Sequence, residues 1–429
     1  MKKYGVLLFI FCILFKLSSS QFALNGTVQI IPYQGLQPEL IEGVTALPAV
    51  DKPLLRHVCL VNKNIISLTI DEQAVIYKSL VPYKKQTGDT VLMKGYHGQS
   101  KVVKRKGEEI GYLCGVKENW LRPFNVMAGE KLDVEWILNP ENFQVSMDEG
   151  ESLKPIKVYR KTYPNRRTHV AQRNELAMVY EIYLVLSESL KNGKNYILNF
   201  EGNSPFKNPV SFLFDENQLR SEAIHVNLAG YEPDEPKVAF LSMWMGDGGS
   251  LEYEESTKFN IIDIEKQKTV YQGISQLVSQ ANKPEFLIGN TRYNHNLTDV
   301  HSLDFSEFKL PGKYRLVVPG IGCSFDFEIR NNIWEDFTRL NMKGFLHQRS
   351  GIELGPPYTD YLRPRNMHPA DEVTIHKCDV EKFFGGDESG QQGVFTRVQN
   401  SILTDTEVSE AWGSWMDAGD FDQRMSHLY

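Results

Sequence analysis

The period of the hydrophobic pattern changes near residue 331, and this change constrains the fold more than any other feature of the sequence. Upstream, apolar and polar residues alternate, as in E-I-Y-L-V-L, where Ile182, Leu184 and Leu186 share one face. That spacing is typical of half-buried β-strands, whereas the apolar residues of 331–351 recur at the 3.6-residue spacing of a helix. The chain is therefore predicted to be multidomain, with β-rich domains followed by an all-α segment.

Residues 55–220 are predicted to form an antiparallel β-sandwich. A second clear strand, N-Y-I-L-N-F, places Tyr196, Leu198 and Phe200 on one face. The segment 191–194 between the two strands contains the Asn-Gly pair that closes β-hairpins, so the two strands are expected to pair. Some aromatic side chains of this region either stack on sugar rings or pack in the core or at its rim; they are Trp120, Tyr159 and Tyr163.

Residues 221–330 are predicted to form a second sandwich with an immunoglobulin-like fold. The region opens with I-H-V-N-L-A-G-Y-E-P-D-E-P-K-V-A-F and ends with a hairpin that turns at Pro319-Gly320. Alternating residues line one face of each hairpin strand, namely Tyr314, Leu316 and Val318, then Cys323, Phe325 and Phe327.

Residues 331–351 are predicted to form the first helix of a further domain, which extends over 331–429. Gly351 stands where a glycine commonly follows a helix. Residues 352–400 are rich in proline and glycine and are expected to be loop, and Asp422 is placed to cap another helix. The apolar stripe of the first helix comprises Ile333, Trp334, Phe337, Leu340 and Met342.

The N-terminus has the features of a secretory signal. Lys2-Lys3 precedes the apolar run Val6–Phe15, and the small residues Ser18–Ser20 follow it. Because this run is too short to span a bilayer, residues 1–20 are predicted to be a cleaved signal peptide and 21–54 a lead-in segment. The mature protein is predicted to be secreted, periplasmic or on the cell surface, without membrane association after cleavage.

Composition narrows the classes of partner. The net charge of −7 supplies no basic surface for nucleic acid, so no nucleic-acid partner is expected.

The mature cysteines have long, irregular spacings without a C-x-x-C pair, which favours buried free thiols over a disulfide framework. They are Cys59, Cys114, Cys323 and Cys378.

Two carboxylates near the end of the sequence are the candidate catalytic residues. Asp417 and Asp420 lie three apart across Ala-Gly in W-M-D-A-G-D-F-D, with Trp415 and Phe421 beside them. The small residues allow a tight turn, so both carboxylates can converge on one water molecule. Their proximity also separates their proton affinities, which favours one of them as a base. Alone, the motif is equally compatible with an acidic turn.

Together, these segments resemble glycoside hydrolase family 9. H-V-N-L-A-G-Y-x-P with G-K-Y-R-L resembles the N-terminal immunoglobulin-like domain of cellulases, and the helix ending Q-R-S-G with D-A-G-D resembles the start of the catalytic domain. The region before Ser221 is similar, less distinctly, to an additional β-domain of some bacterial members.

The resemblance implies a fold, a substrate and roles for the site residues. The implied catalytic domain is an (α/α)₆ barrel that hydrolyses β-1,4-glucans with inversion, so the expected partner is a β-glucan polysaccharide or oligosaccharide. Asp420 is then the general base and Asp417 orients the water. Trp415 and Phe421 either form part of a sugar-facing wall or pack in the barrel.

The sequence departs from the family pattern at the general acid of catalysis and at the zinc-ligand position. The family's general acid is a late glutamate of the complete domain, so this chain is expected to be an N-terminal fragment that is inactive by itself. Zinc-binding members carry a cysteine where this chain has Ser350, and no cofactor or zinc is expected, although a structural calcium ion is compatible with the family. The remaining zinc-type side chains are His368, His376 and Cys378, whose spacing is not compact.

A second class of function stays open at this point. A non-catalytic exported β-sandwich protein that binds carbohydrate or spaces other modules explains the first 330 residues equally well. The helical segment with D-A-G-D favours the hydrolase, because a binding module has no need of it. The motifs G-x-S-x-G and H-E-x-x-H do not occur.

Overall fold

The computed structural model describes residues 53–76, 78, 81–94, 100–114, 118–147, 150–168, 175–284, 294–360, 363, 365, 368–371, 374–385, 390–407, 412–413 and 415–416. The chain forms two compact units, Met1–Asn331 and Asn332–Tyr429. The predicted signal and lead-in segments lie outside the described residues. No helix in the described part of the chain has the length and apolarity needed to cross a membrane.

The described part of the first unit consists mainly of β-strands, with one short helix, α1 (Val134–Ile137). The strands, in chain order, are β1 (Leu54–Asn62), β2 (Ile65–Asp71), β3 (Ala74–Ile76), β4 (Val81–Pro82), β5 (Thr90–Lys94), β6 (Ser100–Arg105), β7 (Glu108–Cys114), β8 (Trp120–Pro123), β9 (Val126–Ala128), β10 (Phe143–Met147), β11 (Ser152–Leu153), β12 (Pro155–Arg167), β13 (Leu176–Leu186), β14 (Lys194–Phe200), β15 (Val210–Phe214), β16 (Ile224–His225), β17 (Val238–Leu241), β18 (Lys258–Asp263), β19 (Lys268–Ile274), β20 (Gln276–Ser279), β21 (Val300–Asp304), β22 (Gly312–Val318), β23 (Gly322–Cys323) and β24 (Phe327–Ile329).

The first sandwich packs two four-stranded sheets against each other. Their strand orders are β1-β2-β13-β12, here called the central sheet, and β11-β10-β14-β15. Ile182, Leu184 and Leu186 of β13 point into the core between them, as the alternation predicts, and meet Phe143 and Leu198 of the facing sheet. The predicted sandwich is therefore confirmed.

The predicted pairing of the two clearest strands is wrong. β13 pairs with β2 and β12, whereas β14 pairs with β10 and β15 in the opposite sheet. Gly193 does adopt a left-handed φ of 77°. The Asn-Gly turn thus carries the chain from one sheet to the other, because a left-handed glycine sharpens a turn without fixing which strands pair.

The central sheet is buried on both faces over much of its area. All seven residues of β2 are buried, although a strand with one solvent face would alternate. On the outer face, Val61, Ile65 and Tyr183 belong to the core of the second sandwich. The two sandwiches therefore share the central sheet as a common layer.

A smaller sheet extends from the first sandwich. Its strand order is β4-β8-β7-β6-β5, and β3 pairs separately with β9. Val102 and Phe124 form its small core, with Tyr112 packed edge-on against Phe124 at 4.9 Å. Trp120 lies in this sheet and is 39% exposed, so it does not pack in a core.

The second sandwich pairs a sheet of order β16-β17-β21-β20 with one of order β19-β18-β22-β23, to which β24 adds beside β22. Tyr314, Leu316 and Val318 are buried in its core, as predicted. The predicted return strand is interrupted, because β23 ends at Cys323 and β24 begins at Phe327. The second predicted sandwich is confirmed.

Residues 219–222, here called the joining strand, connect the sandwiches. On one side, Leu60 N donates to Arg220 O (3.1 Å) and Glu222 N donates to Leu60 O (2.9 Å). On the other side, Ser221 N donates to Cys323 O (2.8 Å) and Cys323 N donates to Leu219 O (3.1 Å). The predicted boundary between 220 and 221 falls inside this hydrogen-bonded strand.

A turn of the second sandwich covers the edge strand β12 of the first. Residues Gly246–Gly248, here called the glycine turn, form a single 3₁₀ turn in which Asp247 accepts a hydrogen bond from Arg160 N (2.6 Å). Gly246 has a φ of 65°, and a Cβ atom there would lie 2.1 Å from Arg160 O. The close approach therefore requires glycine at position 246. The hydrogen bond to Asp247 satisfies the Arg160 N–H, which the open edge of the strand would otherwise leave unpaired.

The second unit contains helices and one strand pair among its described residues. They are α2 (Ile333–Gln348), α3 (Val380–Phe384), α4 (Gly390–Ser401), β25 (His376–Cys378) and β26 (Ile402–Glu407). The predicted helix is confirmed, but the segment expected to be loop contains α3, α4 and β25. Its proline and glycine residues mark the ends of short elements rather than one long loop.

The apolar stripe of α2 is only partly buried. Ile333 is the buried residue of this helix, whereas Phe337, Leu340 and Met342 are 49%, 66% and 61% exposed. Gly351 has a left-handed φ of 76°. It stands two residues past the C-cap Arg349, so it does not occupy the position immediately after the cap that the sequence predicted.

Cys59, Cys323 and Cys378 are free thiols, as the spacing indicates. Cys59 and Cys323 are buried, and burial raises the pKa of both thiols, that of Cys323 to about 12. Cys378 is exposed, which corrects the expectation of burial at that position.

Candidate functional site

The predicted catalytic site falls at the limit of the described residues. Trp415 and Met416 are described, whereas Asp417, Asp420 and Phe421 lie outside the described residues, as does Asp422. Trp415 is 43% exposed and Met416 is buried. The roles of the two aspartates and of Phe421 therefore stay predictions, and the last described residues are the two that precede them in the sequence.

The end of α2 holds the two residues that precede the motif. Arg349 and Trp415 form an antiparallel β-bridge, and Met416 N donates to Gln348 O (2.8 Å). The Arg349 guanidinium lies 4.5 Å from the centre of the Trp415 ring, a cation–π contact. Q-R-S-G and W-M, far apart in sequence, are thus adjacent in the structure.

Arg363 makes further contacts with the end of α2 and with Met416. Its Nη1 donates to His347 O (2.9 Å) and its Nη2 donates to Arg349 O, and Nη1 also lies 3.7 Å from Met416 Sδ. The rigid guanidinium fork can hold two carbonyls of a helix end at once, which satisfies acceptors that a helix terminus leaves open. The chain is therefore held at Trp415 and Met416, the two residues that precede Asp417 in the sequence.

His347 has a structural role in this junction. Its Nε2 hydrogen-bonds Thr359 Oγ1 at 2.7 Å. Gly351 packs closely against Trp412, because a Cβ atom at position 351 would lie 2.6 Å from a carbon of the Trp412 ring. The interpretation of His347 as a structural histidine agrees with these contacts.

Of the side chains considered for zinc, His368 has other contacts. His368 packs against the Trp412 ring at 4.3 Å and accepts a hydrogen bond from Ala370 N at 3.0 Å. His376 and Cys378 belong to β25, and Ser350 is buried. Among the described residues, no group of three or more His, Cys, Asp or Glu side chains is arranged to hold a metal ion.

A cleft in the first unit is the other candidate site, and sequence reasoning missed it. It has a volume of about 450 Å³ and lies between the outer face of the central sheet and the second sandwich. The side chains that line it include Thr69, Tyr163, Glu181, Arg220, Glu222 and Trp244. Its size is within the range of small-molecule sites.

The titratable groups of this cleft have shifted pKa values. Burial, together with the negative charge of Glu181, raises the pKa of Glu222. Burial and the same carboxylate raise the pKa of Tyr163 to about 12. Burial and the neighbouring cation Arg56 lower the pKa of His57, and burial lowers that of His225. Clustered shifts of this kind are characteristic of functional sites.

The sequence contained one usable signal for this cleft. Tyr163 is one of the aromatic residues that the sequence suggests for sugar stacking, and it lines the cleft. Glu181 and Thr69 occupy polar positions between apolar ones, which is the ordinary pattern of a solvent-facing strand surface. Only the packing of the second sandwich over that surface turns it into a cleft, and the strand pattern does not encode this packing.

Comparison with protein families identifies one module of the chain. Residues 220–323 match the family model described as the cellulase N-terminal ig-like domain. The match begins within the joining strand and ends at β23. It confirms the predicted immunoglobulin-like module and its relationship to cellulases.

Curated relatives extend the relationship. Xyloglucan-specific endo-beta-1,4-glucanase BoGH9A of Bacteroides ovatus is 25% identical over 205 residues, which are 48% of this chain and 28% of that protein. Endoglucanase D of Acetivibrio thermocellus is 35% identical over 65 residues, or 15% of this chain and 10% of that protein. The chain thus spans less than a third of the length of these relatives.

Solved structures also align with the chain. A structure titled Bacteroides ovatus GH9 is 23% identical, with a TM-score of 0.30, over 46% of this chain and 28% of that one. A metagenome-derived glycoside hydrolase family 9 endoglucanase is 21% identical, with a TM-score of 0.28, over 46% of this chain and 30% of that one.

Proposed function

We propose that this chain, which is related to the family 9 endoglucanases and carries their immunoglobulin-like domain, serves the hydrolysis of β-1,4-glucosidic bonds in exported form. The substrate class is cellulose or a related β-glucan, since the relatives are named as endoglucanases and one of them as xyloglucan-specific. The module match at 220–323, followed by the Q-R-S-G helix and D-A-G-D, carries the proposal.

The proposed mechanism is inverting hydrolysis. Asp420 takes a proton from a water molecule that Asp417 orients, and the water attacks the anomeric carbon from the face opposite the leaving group. A protonated carboxyl on the other side of the sugar donates to the glycosidic oxygen. The resemblance assigns that acid to a late glutamate of a complete catalytic domain, and we give this role to none of the glutamates in these 429 residues.

The junction at the end of α2 supports the proposed roles. A water-activating pair must be held in place, because an error of about 1 Å in position can cost roughly 10²-fold in rate. Gln348 and Arg349 hold the backbone at Met416 and Trp415, and Arg363 contacts the Met416 side chain. The chain therefore enters the motif from a constrained position.

The hydrolase is tested by substituting Asp420. In the protein expressed from its entire reading frame, Asp420→Ala is expected to lower kcat on soluble mixed-linkage β-glucan by about 10²–10⁴-fold, since it removes the general base. The first product of the unmodified enzyme should be the α-anomer, which NMR detects before mutarotation. The 429-residue chain alone is expected to release no sugar.

Asp422→Ala is the matched control, because it removes an equal charge from the same segment. Its kcat is expected to stay within a few-fold of the unmodified enzyme. Equal losses in the Asp420 and Asp422 variants, or β-anomer as the first product, would contradict the proposed roles.

A further inference from the structure

The cleft of the first unit has two acceptor carboxylates. Glu181, on β13, accepts hydrogen bonds from Tyr163 OH (3.2 Å) and Tyr183 OH (2.9 Å). Glu222, on the joining strand, accepts through Oε1 from Ser67 Oγ (3.0 Å) and Cys59 Sγ (3.2 Å). Within the described part of the chain, its second oxygen, Oε2, has no hydrogen-bond partner. The cleft therefore has an oriented acceptor available for a ligand.

The cleft also has an oriented donor. The central carbon of the Arg220 guanidinium lies 4.2 Å from the centre of the Phe325 ring, a cation–π contact that restrains the side chain. Its Nε is buried and has no hydrogen-bond partner among the described residues. A buried donor without a partner is costly, so the Arg220 side chain, which lines the cleft, gains from a ligand hydroxyl that reaches Nε.

An aromatic side chain from each sandwich lines the cleft. Tyr163 belongs to β12 and is 39% exposed. Trp244 is half-buried and is held by a β-bridge to Ser250. Flat apolar rings beside hydrogen-bonding groups suit a ligand with an apolar face and a polar rim, and a pyranose ring has both.

The charges of the cleft are nearly balanced. Arg56 is paired with Asp71, and Lys161 with Glu181, which leaves Arg220 opposite Glu222. Such a set has no excess positive charge with which to select a phosphate or an acidic polymer. It offers both donors and acceptors, which suits neutral hydroxyl groups.

From this arrangement we propose that the cleft between the two sandwiches is a non-catalytic binding site for one or two neutral sugar units of a β-glucan chain. Trp244 and Tyr163 contact the ring faces, Glu222 accepts hydrogen bonds from hydroxyl groups, and Arg220 donates to them. The choice of a β-glucan rests on the proposed function, whereas the choice of a neutral sugar rests on the cleft itself.

The site is tested by measuring binding of cellotetraose to the 429-residue chain by calorimetry and saturation-transfer NMR. The chain carries Asp420→Ala throughout, so that hydrolysis cannot consume the ligand. Trp244→Ala and Tyr163→Ala are each expected to weaken binding by about tenfold, because each removes an aromatic contact.

Trp120→Ala is the matched control, since Trp120 is equally exposed but lies in the small sheet. Its affinity should stay within about twofold. Tyr163 lies on an edge strand, so its variant is expected to fold even if the Trp244 variant does not, and circular dichroism checks both. Binding that is unchanged in the Tyr163 and Trp244 variants would place the sugar elsewhere and overturn the site.

Other ligands separate this proposal from the proposed hydrolase. Preferential binding of maltotetraose or tetragalacturonate in the cleft would overturn the assignment to a neutral β-glucan. If no cellotetraose binds while Asp420→Ala still abolishes hydrolysis in the protein from the entire reading frame, the cleft site fails and the hydrolase stands. If cellotetraose binds in the cleft but Asp420→Ala does not lower hydrolysis, the cleft site stands and the proposed hydrolase fails.

Discussion

At the scale of single residues, Glu222 shows how burial and a like charge act together. Its carboxyl is held by Ser67 and Cys59 and faces Glu181, Arg220 and Tyr183. Because its pKa is raised above the ordinary 4.5, the folded protein binds a proton there more readily than the unfolded chain does.

This proton linkage predicts a pH dependence of stability. The contribution of Glu222 is fully present below about pH 4.5 and is lost as pH rises through the folded pKa. His57, His225 and His301 have lowered pKa values and act in the opposite sense, since their contributions are lost as pH falls below 6.5. Glu222→Gln should therefore stabilise the protein more at about pH 8 than at about pH 4, as measured by urea unfolding.

Glu201→Gln supplies the comparison, because it removes an equal charge from an exposed side chain. The change in unfolding free energy caused by Glu222→Gln should grow with pH relative to this control. A pH dependence that is the same in both variants would mean that Glu222 ionises as freely in the folded protein as in the unfolded chain.

At the scale of elements, the glycine turn and strand β12 form a contact that tolerates no side chain. Gly246→Ala adds a Cβ atom 2.1 Å from the Arg160 carbonyl oxygen and also strains a φ of 65°. Gly193→Ala strains a φ of 77° with no atom within 4 Å. We expect losses in unfolding free energy of about 2–5 kcal/mol for Gly246→Ala and about 1–2 kcal/mol for Gly193→Ala.

Urea unfolding of the two variants measures the difference. Both substitutions carry the strain of a left-handed residue, so the excess for Gly246→Ala reports the contact with β12. Equal losses would show that the turn can move away from the strand at no cost.

The elements also show where sequence reasoning ends. Alternation in β13 and β22 predicted both sandwich cores, because a period of two depends only on which side of a strand is apolar. It did not predict the partner of β14, since an Asn-Gly turn suits a sheet-to-sheet crossing as well as a hairpin. Val61, Ile65 and Tyr183 lie on the outer face of the central sheet, and the strand pattern did not indicate that the second sandwich buries them.

The candidate sites divide in the same way. The aspartates of D-A-G-D and the Q-R-S-G helix are contiguous motifs, so a sequence can reveal them. The cleft gathers residues from β1, β2, β12, β13 and the second sandwich, and each of them alone resembles an ordinary polar position. Long-range packing brings these residues together, and no local pattern records it.

At the scale of the whole unit, the joining strand predicts that the two sandwiches unfold together. Ser221 Oγ donates to Val61 O (2.7 Å) and accepts from Ala223 N (3.1 Å), and the residue is fully buried. Ser221→Ala removes both bonds and should lower the unfolding free energy by about 1–3 kcal/mol. Hydrogen exchange should show an equal loss of protection in β14 and β22.

Ser302→Ala is the control for this prediction. Its hydroxyl makes one long hydrogen bond, 3.4 Å to Gln276 O, at the surface of the second sandwich. Its effect should be below about 0.5 kcal/mol. A loss of protection confined to β22 in the Ser221 variant would show that the sandwiches open independently.

The shared central sheet has a consequence for how such a protein diversifies by recombination. The family match begins at residue 220, which makes this position a natural point for a crossover. The transferred module would nevertheless leave Val61, Ile65 and Tyr183 behind, and these side chains complete its interior. Gene shuffling is therefore expected to exchange the pair as one cassette, and a lone immunoglobulin-like module would need new apolar residues to replace the three it lost.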